Sequence, residues 1–163
     1  MIPEKIVDLG KIDFGTVEVP IEEIRKINLQ RFEFEQLDGI FKLLPEEQAL
    51  VGYKDIRSEE FWVRGHIPGN PLLPGVLMLE AGAQLCSYYQ GKFHPQDGFF
   101  GFGGLEDVRF RGAVKPGDRM ILVGKAVQIH PRKSTYIVHG FVKDKMVFQA
   151  TVIGVTIKKE KSG

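Results

Sequence analysis

The stretch HIPGNPLLPGVLMLEAGAQLCSYYQ, residues 66–90, decides the fold, because it holds the one clear long helical pattern in the chain. Pro74 suits a first helical turn, where its missing N–H costs nothing. The pattern therefore predicts a helix from Pro74 to about Gln90. Val76, Leu77, Met78, Leu79, Ala81 and Leu85 make it apolar on nearly every side, and a helix without a polar stripe is a buried helix. Its Ala81-Gly82-Ala83 run permits close backbone approach.

Working outward, the sequence C-terminal to this helix changes to β character. Leu105–Val114, Met120–Ile129, Thr135–Val142 and Met146–Ile157 are rich in Val, Ile, Phe and Tyr with frequent alternation. Pro116-Gly117-Asp118, Pro131-Arg132-Lys133 and Lys143-Asp144-Lys145 separate them at hairpin spacing. On the N-terminal side, Ala49–Arg57 alternates as a strand. Ile21, Ile24 and Ile27 mark a short amphipathic helix, and Arg31–Leu44 cannot be typed by period. One buried helix with several consecutive antiparallel strands predicts an α+β domain, a sheet curled around a central helix. Residues 1–20 read as an extension on the surface, leaving 21–163 as a single domain.

Composition narrows the class. A chain of 163 residues is one domain's worth, and a net charge of +1 gives no global reason to bind nucleic acid or a membrane. A single cysteine, Cys86, forms no internal disulfide and fits a reducing compartment. The opening MIPEKIVDLGKIDF interrupts its apolar residues with acids, unlike a signal-peptide core. Leu72–Leu85 contains Glu80 and Gln84 and is too short to span a bilayer. A cytoplasmic protein with no membrane insertion is the expectation.

The reactive groups sit at the start of the quoted stretch. His66 places an imidazole that titrates near neutrality in a Gly/Pro-rich loop. Gly75 leaves its N–H uncovered at the positive end of the helix. Glu80 lies about a turn and a half inward among apolar neighbours, and no basic residue occurs between Arg64 and Lys92 to pair with it locally. Such a carboxyl is expected to be buried and held protonated, as a general acid must be. Base, acid and backbone donor together suit proton removal beside a carbonyl with proton delivery to a leaving group.

The spacing H-x-x-G-x-x-x-x-P-G-x-x-x-x-E, filled by His66, Gly69, Pro74, Gly75 and Glu80, resembles the β-hydroxyacyl-acyl carrier protein dehydratases of bacterial fatty acid synthesis. Ala83-Gln84 follow as in that family. Ile21–Ile24, Arg31-Phe32, Phe34 and Leu37-Asp38 look like its opening segment. Arg109-Phe110-Arg111, Val114 and Pro116-Gly117-Asp118 look like its later block. The resemblance, from about Ile21 to Ile157, implies a hot dog fold and a hydro-lyase that eliminates water from a (3R)-hydroxyacyl thioester. It implies that His66 and Glu80 are catalytic and that the Gly75 N–H polarises the thioester carbonyl. The active unit it implies is a homodimer with shared sites, three of which often form a hexamer. No metal or redox cofactor is implied; 4′-phosphopantetheine arrives on the acyl carrier protein.

Gln84, four residues after Glu80, can orient the carboxyl or simply pack. Arg109, Arg111, Arg132 and Lys133, with Lys115 and Arg119, are either a solvated surface or a docking site for an acidic carrier protein. His94, His130 and His139 lack partners at metal-ligand spacing. Cys86 lacks a local histidine to activate it, and Gly101-Phe102-Gly103-Gly104 lacks the strand–turn–helix context of a nucleotide loop. The chain departs from the family at Asn28-Leu29-Gln30-Arg31, where Leu-Pro-His-Arg is usual, and at Ile67, where an aromatic is common. Glu80 in place of Asp favours the dehydratase branch over the one that also isomerises the double bond. A hot dog thioesterase, or a non-catalytic acyl-binding subunit, are the alternatives.

Overall fold

The computed structural model describes residues 4–160. Seven antiparallel strands form one sheet in the order β1-β2-β3-β5-β6-β7-β4. They are β1 (Val19–Pro20), β2 (Gly39–Leu44), β3 (Ala49–Asp55), β4 (Phe99–Phe110), β5 (Arg119–Gln128), β6 (Lys133–Val142) and β7 (Lys145–Ile157). The short helix α1 (Ile21–Ile24) precedes β2, and the long helix α2 (Gly75–Phe93) packs against β3 through β7. The predicted sheet around a central helix is therefore what forms. Gly82 explains how closely the two layers meet: a Cβ there would lie 2.7 Å from Val138 Cγ1 on β6. Leu85, Cys86, Tyr89 and Met78 of α2 share one core with Leu50, Leu122, Tyr136 and Phe148 of the sheet.

Strand alternation sorts side chains between the two faces of the sheet. Along β3, Leu50 and Gly52 face α2, while Ala49, Val51 and Tyr53 face outward. The outer face is apolar as well, and the N-terminal extension covers it. Val7 and Ile12 pack there with Phe41, Val51 and Val123, and the Phe14 ring meets Phe41 edge-on at 5.2 Å. Asp8 caps the turn beneath by accepting from Gly10 N–H at 3.0 Å. Val19–Pro20 then joins the sheet edge beside β2.

This covered face holds a titratable group. His139 on β6 is buried, its Nδ1 has no partner among the described residues, and it lines a small cavity together with Lys5, Ile6, Val7 and Leu9. Burial, reinforced by the charge of Arg111, lowers its pKa from 6.5. Below that pH the unfolded chain takes up a proton that the folded chain refuses, so stability falls with falling pH. The melting temperature is expected to drop between about pH 7 and pH 5, and His139→Gln should flatten that slope.

The elements differ from the sequence-based expectation at several places. Pro74 is the N-cap, with φ −56° and ψ 133°, and not a residue of the first turn; its carbonyl accepts from Leu77 and Met78 N–H at 2.9 and 3.3 Å. The helix runs past Gln90 to Phe93, closed by His94 N–H donating to Gln90 O. β4 spans Phe99–Phe110, not Leu105–Val114, because Gly101, Gly103 and Gly104, left outside the expected strand, lie in it. A Cβ on Gly101 or Gly103 would fall 2.6 Å from the Ile157 or Val155 side chain of β7. Pro116-Gly117-Asp118 closes no hairpin. It carries the chain from β4 at the sheet edge to β5 in its middle, and backbone bonds between Ile56 and both Gly117 and Asp118 tie it to the end of β3.

Candidate functional site

His66 sits on the turn-rich segment between β3 and α2, with its side chain exposed. Its N–H donates to Trp62 O at 2.7 Å, and Trp62 is anchored in the core at 4% exposure. The His66 Nδ1 lies 2.6 Å from Leu72 O. A carbonyl can only accept, so Nδ1 carries a proton, and in the neutral ring the lone pair lies on Nε2. Leu73 N–H in turn donates to Val114 O at 2.7 Å, which pins this segment to the chain entering β5. Ile67 and Gly69 adopt positive φ, 61° and 84°. A β-branched residue in that region is strained by about 1–3 kcal/mol, so the loop is held in shape by its anchors.

Gly75 opens α2, so its N–H has no intrahelical partner and stands at the positive end of the helix dipole. The absence of a side chain matters here, since a Cβ would lie 2.8 Å from the Phe110 ring.

Glu80 is not buried as expected. It is half-exposed, because the apolar sequence around it covers other faces of the helix. Val76, Glu80, Ala83, Ser87 and Gly91 form an incompletely covered stripe down α2, so the helix is not buried all round. Gln84 Nε2 donates to Glu80 Oε1 at 2.8 Å and also to Phe34 O at 2.7 Å. Gln84 Oε1 accepts from Gln36 N–H at 2.9 Å, and its backbone carbonyl accepts from the Asn28 amide at 2.9 Å. Gln84 thus bonds the Glu80 carboxyl and also fastens residues 34–36 to α2.

Beside Glu80 lies a cleft of about 130 Å³ lined by Gln30, Ser87, Phe99, Phe100, Gly101 and Phe102, among others. A larger cleft of about 320 Å³ continues along α2 and shares Gln30, Ser87, Phe99 and Phe100 with it. Gln30 lines both clefts, and its one signal in the sequence is its position in the Asn28–Arg31 departure. His66 does not line the Glu80 cleft. Within one chain the two residues are positioned separately.

The remaining candidates are dispersed. Arg109 and Arg111 stand at the end of β4, where Arg109 pairs with Gln149 of β7. Lys133 pairs with Val155 of β7 and follows Arg132 in the β5–β6 turn. The two pairs are therefore about 20 Å apart along β7. Arg111 donates to Gln149 Oε1 at 2.6 Å. Arg119 is committed to Asp55 at 2.6 Å and lies 4.5 Å from the Tyr53 ring centroid. Cys86 is fully buried, which pushes its thiol pKa far up and leaves it unreactive. Among the described residues no group of three or more His, Cys, Asp or Glu side chains could hold a metal ion, and no helix is long and apolar enough to cross a membrane.

The chain as a whole is similar to known proteins. Residues 28–151 match the FabA-like domain family. The 3-hydroxyacyl-(acyl-carrier-protein) dehydratase FabZ of Syntrophomonas wolfei is 40% identical over 113 residues, covering 65% of this chain and 74% of that protein. The dehydratase of the same name from Desulfotalea psychrophila is 33% identical over 144 residues, covering 83% and 92%. Among solved structures, the dehydratase heterocomplex ApeI:P of Xenorhabdus doucetiae matches with a TM-score of 0.70 at 10% identity, over 83% of this chain and 91% of that one. The virulence protein Cj0977 of Campylobacter jejuni matches with a TM-score of 0.63 at 14% identity, over 85% and 90%. At those identities the structural likeness speaks for the fold alone.

Proposed function

We infer the activity from one premise: the chain belongs to the FabA-like hot dog dehydratase family. Our reading is a (3R)-hydroxyacyl-acyl carrier protein dehydratase that forms trans-2-enoyl thioesters in fatty acid biosynthesis. The observation that carries it is the His66 Nδ1 contact with Leu72 O, two residues ahead of the α2 N-cap, which leaves Nε2 of the neutral ring free as a base.

In this reading His66 Nε2 takes the proton from C2 while the Gly75 N–H and the helix dipole polarise the thioester carbonyl. The C2–H electron pair becomes the C2–C3 double bond. The C3–O bond breaks as Glu80 gives its proton to the departing hydroxyl, releasing water. His66 ends protonated and Glu80 ionised, and proton exchange with solvent resets both. Gln84 holds the Glu80 carboxyl toward the cleft.

The site is completed by a second copy of the chain. β4 is an open sheet edge, and Phe99, Phe102, Leu105 and Phe110 on it are exposed, as is Val76 beside it. An unpaired edge with exposed aromatics favours pairing with another chain. Covering this face would enclose Glu80 and bring in the partner's imidazole, which the Glu80 cleft of one chain lacks.

The deciding assay incubates the protein with a 3-hydroxyacyl thioester. Enoyl absorbance supports dehydration, release of free thiol indicates a thioesterase, and neither indicates a non-catalytic subunit. The carrier protein is proposed to dock on one of the two basic pairs. Charge reversal of that pair, Arg109 with Arg111 or Arg132 with Lys133, should raise KM for carrier-bound substrate through slower association. Turnover of a small pantetheine thioester should hold, and added salt should erode the wild-type preference for the carrier-bound form. Equal losses on both substrates would instead mean damage to the sheet.

A further inference from the structure

Strand β3 carries a charge where its alternation calls for an apolar side chain. Lys54 follows Leu50 and Gly52 on the face toward α2, and only 2% of it is exposed. A buried ammonium without a partner is strongly destabilising, and a buried ion pair is often no more stable than apolar residues of similar volume. Its presence therefore calls for a reason other than core stability. Lys54 Nζ lies 2.6 Å from Glu60 Oε1, and Glu60 is itself mostly buried.

Glu60 belongs to the segment that carries His66. Its other carboxylate oxygen accepts from Arg57 N–H at 2.8 Å, and its carbonyl accepts from Val63 N–H at 3.0 Å. One residue before Val63, Trp62 O receives both Gly65 N–H at 3.2 Å and His66 N–H at 2.7 Å. The His66 ring is thus held at Leu72, and the His66 backbone is tied, through two turns, to a lysine inside the sheet.

We propose that the buried Lys54–Glu60 ion pair is a positioning device that sets the His66 imidazole against Leu72 O and so fixes its free Nε2. The proposal rests on the dehydratase reading for its effect on rate but not for its effect on the imidazole. β3 is held on both sides, by β2 and β5, and so supplies a rigid anchor for an otherwise turn-built segment. A misplacement of a reacting group by about 1 Å costs up to about 100-fold in rate, which is the scale on which such a tether matters.

The test uses the full-length chain with Lys54→Met, Glu60→Gln and the double variant, assayed on a small 3-hydroxyacyl thioester well below each melting temperature. Each single change leaves one buried charge unpaired and should lower Tm by roughly 10 °C. It should also lower kcat by about 10- to 100-fold, with KM little changed. The double variant removes both charges, so Tm should recover while kcat stays low, because the tether is gone. The nitrogen NMR spectrum of His66 should show the Nδ1–H tautomer in the wild type and a tautomer mixture in all three variants. Val123→Ala, in the outer core, should lower Tm while leaving kcat and the His66 spectrum unchanged. Recovery of kcat together with Tm in the double variant, or an unchanged His66 tautomer, would overturn the proposal. A wild type that dehydrates nothing would sink the dehydratase reading, while the His66 spectra would still decide the tether.

Discussion

Replacing His66 with alanine should lower dehydration by at least ~100-fold while leaving the fold intact. The side chain is exposed and lies outside both core clusters, so its loss opens no cavity. The side-chain bond that it gives up among the described residues is to Leu72 O, whose carbonyl can turn to water at the surface. What disappears is the only base that the reading assigns to C2. The measurement pairs enoyl formation with Tm and circular dichroism. A variant that folds normally and stays within about tenfold of wild type would remove His66 from the mechanism.

His66 was legible because a loop imidazole next to a Pro-Gly helix start is a local pattern. The Leu72 carbonyl that sets its tautomer was not, since backbone partners leave no trace in residue type. Glu80 was legible as a reactive carboxyl but not in its surroundings. Apolar neighbours in sequence occupy other faces of α2, and the 3.6-residue period turns Glu80 onto the same partly open stripe as Ala83 and Ser87. Gln84 shared that legibility through its i+4 spacing, while its bonds to Phe34 and Gln36 arise from a non-local contact.

The fold divides along similar lines. β5, β6 and β7 announce themselves through β-branched residues and short turns. β4 hides its start in the sequence, because the glycines that lie against the Ile157 and Val155 side chains mimic a loop. The Pro116–Asp118 turn looked like a hairpin because turn chemistry reports a reversal and not which strands pair across it. Lys54 reads in sequence as an ordinary polar residue near the end of a strand; only its 2% exposure and its bond to Glu60 show otherwise. The four basic residues group well in sequence, yet strand register sets the two pairs far apart. Chemistry carried by short spacing is readable, and chemistry assembled across strands is not.

Glu80→Gln should cost at least ~100-fold as well. The amide keeps the volume and can still accept from Gln84 Nε2 through its own oxygen, so the orienting bond at 2.8 Å survives. Only the capacity to donate a carboxyl proton to the departing hydroxyl is lost. Near-normal turnover would make Glu80 a structural residue. The same variant also tests how the site is assembled. If His66 and Glu80 of one site come from different copies, mixing inactive His66→Ala with inactive Glu80→Gln chains should restore activity. Each mixed dimer then has one site with both changes and one with neither. Random exchange makes about half of the dimers mixed, so recovery should approach roughly a quarter of wild type. Mixed dimers confirmed by mass but showing no recovered activity would mean that both residues act within one chain. The exposed β4 edge and the half-open face of Glu80 would then need a different partner.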